Sequence, residues 1–99
     1  MGSLTVMVTS EDEVMSIVIG GEVDLVNRDQ LQSCLANIDV ARARLVHLDL
    51  RQLTFCDSAG SAHLVRFENR ARAAGCAVQI RDVQPIVRKV MDLVATGIE

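Results

Sequence analysis

Leu4, Val6 and Val8 alternate with Thr5, Met7 and Thr9, the period of two that marks a strand with one buried face. Ser10-Glu11-Asp12-Glu13 forms a polar turn, and Val14 to Ile19 is a second strand, so the first two strands predict a hairpin. Gly20-Gly21 is expected to end it. Asn27 then has the place of a helix N-cap, with Gln30 three residues on as its capping-box partner. Leu31, Cys34, Leu35 and Ile38 follow at i, i+3, i+4 and i+7, a single apolar stripe on a helix running to about Asn37.

From Leu45 to Leu50 the pattern returns to alternation. Val46, Leu48 and Leu50 point one way, His47 and Asp49 the other. A sheet covered on both faces would read as a continuous apolar run, so this strand predicts helices on one face and more polar surroundings on the other. A second helix starts at or just after Ser58, with Gly60, Leu64, Phe67, Ala71 and Ala74 on one stripe and Gly75 placed to end it. Ala77 to Arg81 is a further strand, with Val78 and Ile80 inward. Pro85 fits the first turn of a third helix, whose apolar face is Ile86, Val87, Val90, Met91 and Val94 and whose end is Gly97. The order is β-β-α-β-α-β-α. It predicts an α/β domain with right-handed crossovers and a mixed four-stranded sheet with helices mainly on one face.

Composition narrows the function. With 99 residues the chain has room for one domain. At 49% hydrophobic and 23% charged it reads as globular. A net charge of -3 gives no general attraction to nucleic acid or anionic lipid. No apolar run approaches the roughly 20 residues of a membrane span, and MGSLTVMVTS lacks the basic start and long apolar region of a signal peptide. These features predict a cytoplasmic protein with no direct nucleic-acid contact and no membrane insertion. Cys34, Cys56 and Cys76 form no CxxC pair, and with only His47 and His63 to join them they predict neither a disulfide framework nor a metal site. No cofactor is expected.

Conventional catalysis finds little support. Ser58 has Asp57 beside it, but adjacency in sequence is not a dyad. His63 lies five residues on, about half a helical turn out of phase. DSAGSA is neither G-x-S-x-G nor a P-loop, and Gly20-Gly21 lacks dinucleotide-binding spacing. Read for structure alone, Ser58 is a helix N-cap, with Asp57 a second candidate for the same role. Glu22 and Asp24 read as a solvated turn, and His63, Arg66 and Arg70 as a solvated helix face.

Three segments carry a more specific resemblance. GEVDLVN, Gly21 to Asn27, resembles the G-E-[LV]-D-x-x-[TN] signature of the STAS family. LVHLDLRQLTFCDSAG, Leu45 to Gly60, resembles its central strand and D-S-[ST]-G loop, and PIVRKVMDLVATGI, Pro85 to Ile98, its last common helix. The resemblance runs from about residue 4 to 98 and is strongest to bacterial anti-sigma factor antagonists. It implies a partner-switching module that is not an enzyme. Such a module binds an anti-sigma factor that is also a serine kinase, and so frees a sigma factor for transcription. The kinase phosphorylates the serine after the loop aspartate, here Ser58; the phosphoprotein releases it, and a serine phosphatase restores the free form. The implied partner-binding residues are Glu22, Asp24, Asn27, Asp57, Ser58, Ala59, Gly60 and Ser61, with a monomer the simplest state. Ala59 stands where the family has a second hydroxyl, and Ser61-Ala62 stand where it has Leu-Gly. A second branch, the STAS subunit of Mla-type phospholipid transporters, often carries D-[ST]-[AG]-G and binds an ABC ATPase. DSAG and the end at Glu99 fit that branch, while GEVDLVN with an intact serine fits the antagonist. Stressosome-like sensors remain a further alternative.

Overall fold

The computed structural model describes residues 2–97; Ile98, the end of the last matched segment, lies outside them. Strands β1 (Leu4–Glu11) and β2 (Val14–Val23) pair antiparallel from Leu4↔Gly21 to Glu11↔Val14. The hairpin turns on Asp12 and Glu13, with φ of 52° and 69°, the left-handed pair that matches strand twist in a two-residue turn. The turn is tied down from outside, because Arg44 N–H donates to Glu13 O at 2.8 Å. Leu4 and Val6 are half-buried, but Val8 is exposed. β1 is an edge strand, and its far half is exposed.

Helix α1 (Arg28–Ala36) leads to β3 (Leu45–Asp49), which runs parallel to β2. A short strand β4 (Leu53–Cys56) follows and also pairs parallel with β2, farther along the same strand. Helix α2 (Ser58–Ala73), strand β5 (Ala77–Arg81), parallel to β3, and helix α3 (Pro85–Ala95) complete the order. The sheet therefore has five strands rather than the expected four, in the order β1-β2-β3-β5 with β4 beside the end of β2.

The extra strand has a local cause. Gly20-Gly21 does not end β2. Gly21 has φ +100°, and a Cβ there would lie 1.7 Å from Ser3 O. Glycine at positive φ makes a bulge here instead of a stop, and the β2 register with β4 shifts between Gly21 and Glu22. The chain from β3 to β4 absorbs the matching irregularity in the turn Leu50–Leu53, where Leu53 N–H donates to Leu50 O and Gly21 N–H to Gln52 O. Leu50 and Leu53 both end fully buried, which strict alternation would forbid at that spacing.

The three helices cover the sheet face that bears Met15, Ile17, Ile19, Val46, Leu48 and Val78, all buried. The opposite rows, Ser16–His47–Gln79 and Val18–Asp49–Arg81, stay partly open to solvent. α2 packs between α1 and α3 and contributes Leu64, Phe67 and Ala71 to the core. A fully buried leucine such as Leu64 contributes about 1.5–3 kcal/mol by leaving water. Arg70 is not a free surface cation: its Nη2 group donates to Leu35 O at 2.8 Å and Ile38 O at 3.1 Å, placing charge on the carbonyl end of α1.

Candidate functional site

The junction of β4 and α2 is built by Asp57. Its N–H donates to Val23 O at 3.0 Å, continuing the ladder off the end of β2. Its backbone is extended, with φ −70° and ψ 174°, and its Oδ1 accepts the Gly60 N–H at 2.8 Å. Asp57 is therefore the N-cap of α2. Ser58, a candidate for that role, is the first helical residue and is exposed. Its hydroxyl stands at the positive end of a 16-residue helix without being needed to start it.

The segment after β2 closes against this junction. Asp24 Oδ1 accepts the Val26 N–H at 3.0 Å, and Asp24 O accepts from both Asn27 N–H and Arg28 N–H. Asn27 occupies the N-cap position of α1, but its side chain makes no cap bond, so the capping box with Gln30 does not form. The amide turns back into the loop. Asn27 Oδ1 accepts from Asp24 N–H at 3.0 Å, and Nδ2 donates to Glu22 O at 2.8 Å. At 6% exposure it is a buried fastener of the loop. The loop presents Leu25 and Val26 outward at 74% and 81% exposure. Arg28, in the first turn of α1, donates from Nη1 to Asp57 Oδ2 at 3.3 Å and so joins the two loops.

Beneath the helix start, space is tight. A Cβ on Gly60 would lie 2.6 Å from Val23 Cγ1 and 2.9 Å from Cys56 Sγ. Ser61 is fully buried, and its Oγ makes no well-formed hydrogen bond. Burial pushes the Cys56 thiol up to about 11, opposed by the nearby Ser61 hydroxyl and reinforced by the Asp57 charge. Ser61 was expected at the partner surface beside Ser58; the structure puts it on the core side of α2, facing β4. Of the other expected contact residues, Glu22 and Ser58 are exposed, Asp24, Asp57 and Ala59 are half-buried, and Asn27 and Gly60 are buried. The two matched loops do come together, but only part of each is accessible.

On α2, one turn beyond Ser58, His63 is paired with Arg66. His63 Nδ1 accepts from Arg66 Nη1 at 3.0 Å, which leaves the ring proton on Nε2. Burial and then the Arg66 charge hold its pKa below 6.5. His63, Arg66 and Arg70, with Gln32, Leu35, Ala36 and Phe67, line a shallow groove of about 170 Å³ between α1 and α2. Among the described residues no group of three His, Cys, Asp or Glu side chains could hold a metal ion, and no helix is long and apolar enough to cross a membrane. Sequence reading missed two features here. Arg28 is joined to Asp57 across 29 residues of chain, which no local pattern reveals. Leu25-Val26 was visible as two large apolar residues in a loop, an unusual choice where the chain must stay in water.

A family model described as "Mlab, STAS domain" matches residues 6–97. No curated protein sequence matches the chain. Among solved structures, an anti-sigma factor antagonist from Mycobacterium paratuberculosis aligns with a TM-score of 0.71 at 24% identity, over 96% of this chain and 79% of that one. The anti-sigma factor antagonist SpoIIAA in its unphosphorylated form aligns at 0.69 and 18% identity, over 96% and 83%. SpoIIAA described as a Bacillus cell fate determinant, in its phosphorylated form, aligns at 0.68 and 17%, over 96% and 86%. At these identities the likeness establishes the fold.

Proposed function

The chain belongs to the STAS domain family, and from that premise we propose that it is an anti-sigma factor antagonist, a cytoplasmic, monomeric binding module with no catalysis of its own. It binds an anti-sigma factor serine kinase and is switched off by phosphorylation of Ser58. A serine phosphatase reverses the switch. The observation that carries this reading is the division of labour at the start of α2. Asp57 supplies the cap and the tie to β2, which leaves the exposed Ser58 hydroxyl without a structural task. The likeness to antagonists solved in both phosphorylation states supports it.

The physics of the switch is local. A phosphate adds about −1.5 to −2 charge units at neutral pH. At Ser58 it meets the free N–H groups and the positive end of the α2 dipole, so the fold tolerates it. The penalty falls on the partner. A like charge left unpaired about 4 Å away costs roughly 4 kcal/mol at an effective dielectric of 20, nearly three decades of affinity.

Each anti-sigma serine kinase of the host cell provides the test. Ser58→Asp keeps a native far-UV spectrum and loses about a thousandfold in affinity; Ser58→Ala binds and accepts no phosphate. An aspartate variant that binds as well as wild type would end the proposal. A second reading, a transporter-associated subunit that binds an ABC ATPase, is favoured by the description of the matched family model itself. In that case binding to the ATPase survives Ser58→Asp with little change.

A further inference from the structure

Arg28 and Asp57 are not fully committed to each other. Asp57 holds the α2 cap through Oδ1 alone, at 2.8 Å from Gly60 N, and meets Arg28 through Oδ2 at 3.3 Å, a long contact for an ion pair. The two side chains are 32% and 25% exposed. A guanidinium has five N–H donors, so Arg28 has capacity to spare. Ser58 directly follows Asp57, exposed, in the first turn of α2. A phosphate there forms beside the carboxylate that the guanidinium already contacts.

The surrounding charges favour that one cation. Asp24 is engaged with Val26 N–H within its own loop, and Asp29 sits on the same turn of α1 as Arg28. On α2, Arg66 is engaged with His63 Nδ1, and Arg70 caps the end of α1. A phosphate dianion offers a forked donor more charge and more acceptor oxygens than one carboxylate oxygen. We propose that Arg28 is the internal counter-ion for phosphate on Ser58: it gives up Asp57 Oδ2 for the phosphate, while Asp57 Oδ1 keeps the helix cap. The phosphorylated form is thereby tied to α1 and to the loop that carries Leu25 and Val26. This rests on the reading of Ser58 as a phosphate acceptor, but the clamp can be tested without any kinase.

Phosphoserine is placed at position 58 of the full chain by genetic encoding, and its phosphorus resonance is followed against pH. Phosphoserine loses its second proton at about pH 6. The helix end acts on wild type and variants alike, so the difference between them is the readout. Arg28→Gln raises the midpoint by about one unit relative to wild type, Arg28→Lys by less, and Arg66→Gln leaves it in place. Equal midpoints for wild type and Arg28→Gln overturn the proposal, as does a rise on Arg66→Gln as large as that on Arg28→Gln. If Arg28→Gln does not fold, the nitrogen-15 resonance of Arg28 Nε in the wild-type protein decides: it moves with phosphate ionisation if the clamp forms, and stays fixed if it does not. Failure of the functional reading looks different, as no phosphate on Ser58 in cells while the midpoint difference persists.

Discussion

Removing the Asp57 side chain isolates the device on which the site depends. Asp57→Ala deletes an N-cap bond to Gly60 N–H of 2.8 Å and an ion pair with Arg28 of 3.3 Å. Loss of a cap costs about 1 kcal/mol. The ion pair is partly exposed and adds about 0.5 kcal/mol. The variant is therefore less stable by about 1.5 kcal/mol. Unfolding entropy is about 2.1 cal/mol/K per residue, so for 99 residues that loss lowers the melting temperature by about 7 °C. Asp57→Asn keeps a capping oxygen and loses the charge, so it falls by only about 2 °C. Ser58→Ala changes an exposed residue with no part in the cap and shifts stability by less than about 0.5 kcal/mol. Thermal unfolding followed by circular dichroism, with urea midpoints as a check, measures all three. If Ser58→Ala loses as much as Asp57→Ala, Ser58 is the cap, and it is no longer free for a separate role.

Three further outcomes follow from the same structure. Gly60→Ala gains helix propensity of about 1 kcal/mol but drives a methyl to 2.6 Å from Val23 Cγ1, an overpacking cost of about 1–3 kcal/mol; its urea midpoint falls, and a rise would show that the wall beneath the helix yields. The Arg51 N–H, donating to Asp49 Oδ1 at 2.9 Å, and then the Arg51 guanidinium hold the Asp49 carboxyl below its ordinary 3.8. A depressed acid contributes stability that is present above pH 3.8 and lost as pH falls through its folded pKa, so Asp49→Asn flattens the acid limb of the stability profile, and superimposable limbs would count against this. In native protein near pH 8 a thiol reagent labels half-buried Cys34 first, while Cys56, buried and pushed up to about 11, and buried Cys76 react only on unfolding; peptide mapping that finds Cys56 labelled as fast as Cys34 contradicts the packing under α2.

Periodicity was enough for the regular elements. The strand Ala77–Arg81 and the helix opening at Pro85 lie where the pattern puts them, although on that helix only Val87 and Met91 of the expected apolar face are buried and Ile86 is 53% exposed. β4 was not legible for a physical reason. Its residues read buried, exposed, exposed, buried, neither alternating nor continuous, and it pairs only because β2 continues through the bulge at Gly21. Gly20-Gly21 was read as a stop because a glycine pair usually is one; the close approach of Ser3 O, which no local window contains, makes it a bulge. At the site, the matched loops identified Asp57 and Ser58 but not their division of roles, since both residue types cap helices well. Ser61 was placed at the partner surface by its match to the family loop, yet one residue beyond Gly60 on the helix it falls on the packed side with Leu64. Arg28 escaped notice because its partner is distant in sequence and adjacent only in the fold.

The central claim is that Ser58 is the switch. The most direct test is intact-mass spectrometry with site mapping of the protein isolated from its own cells, together with whatever remains bound to it. The account predicts a form carrying one phosphate, on Ser58, and a serine kinase of the anti-sigma type bound to the unmodified form alone. An unmodified Ser58 under all growth conditions, with an ABC ATPase as the bound protein, would contradict it.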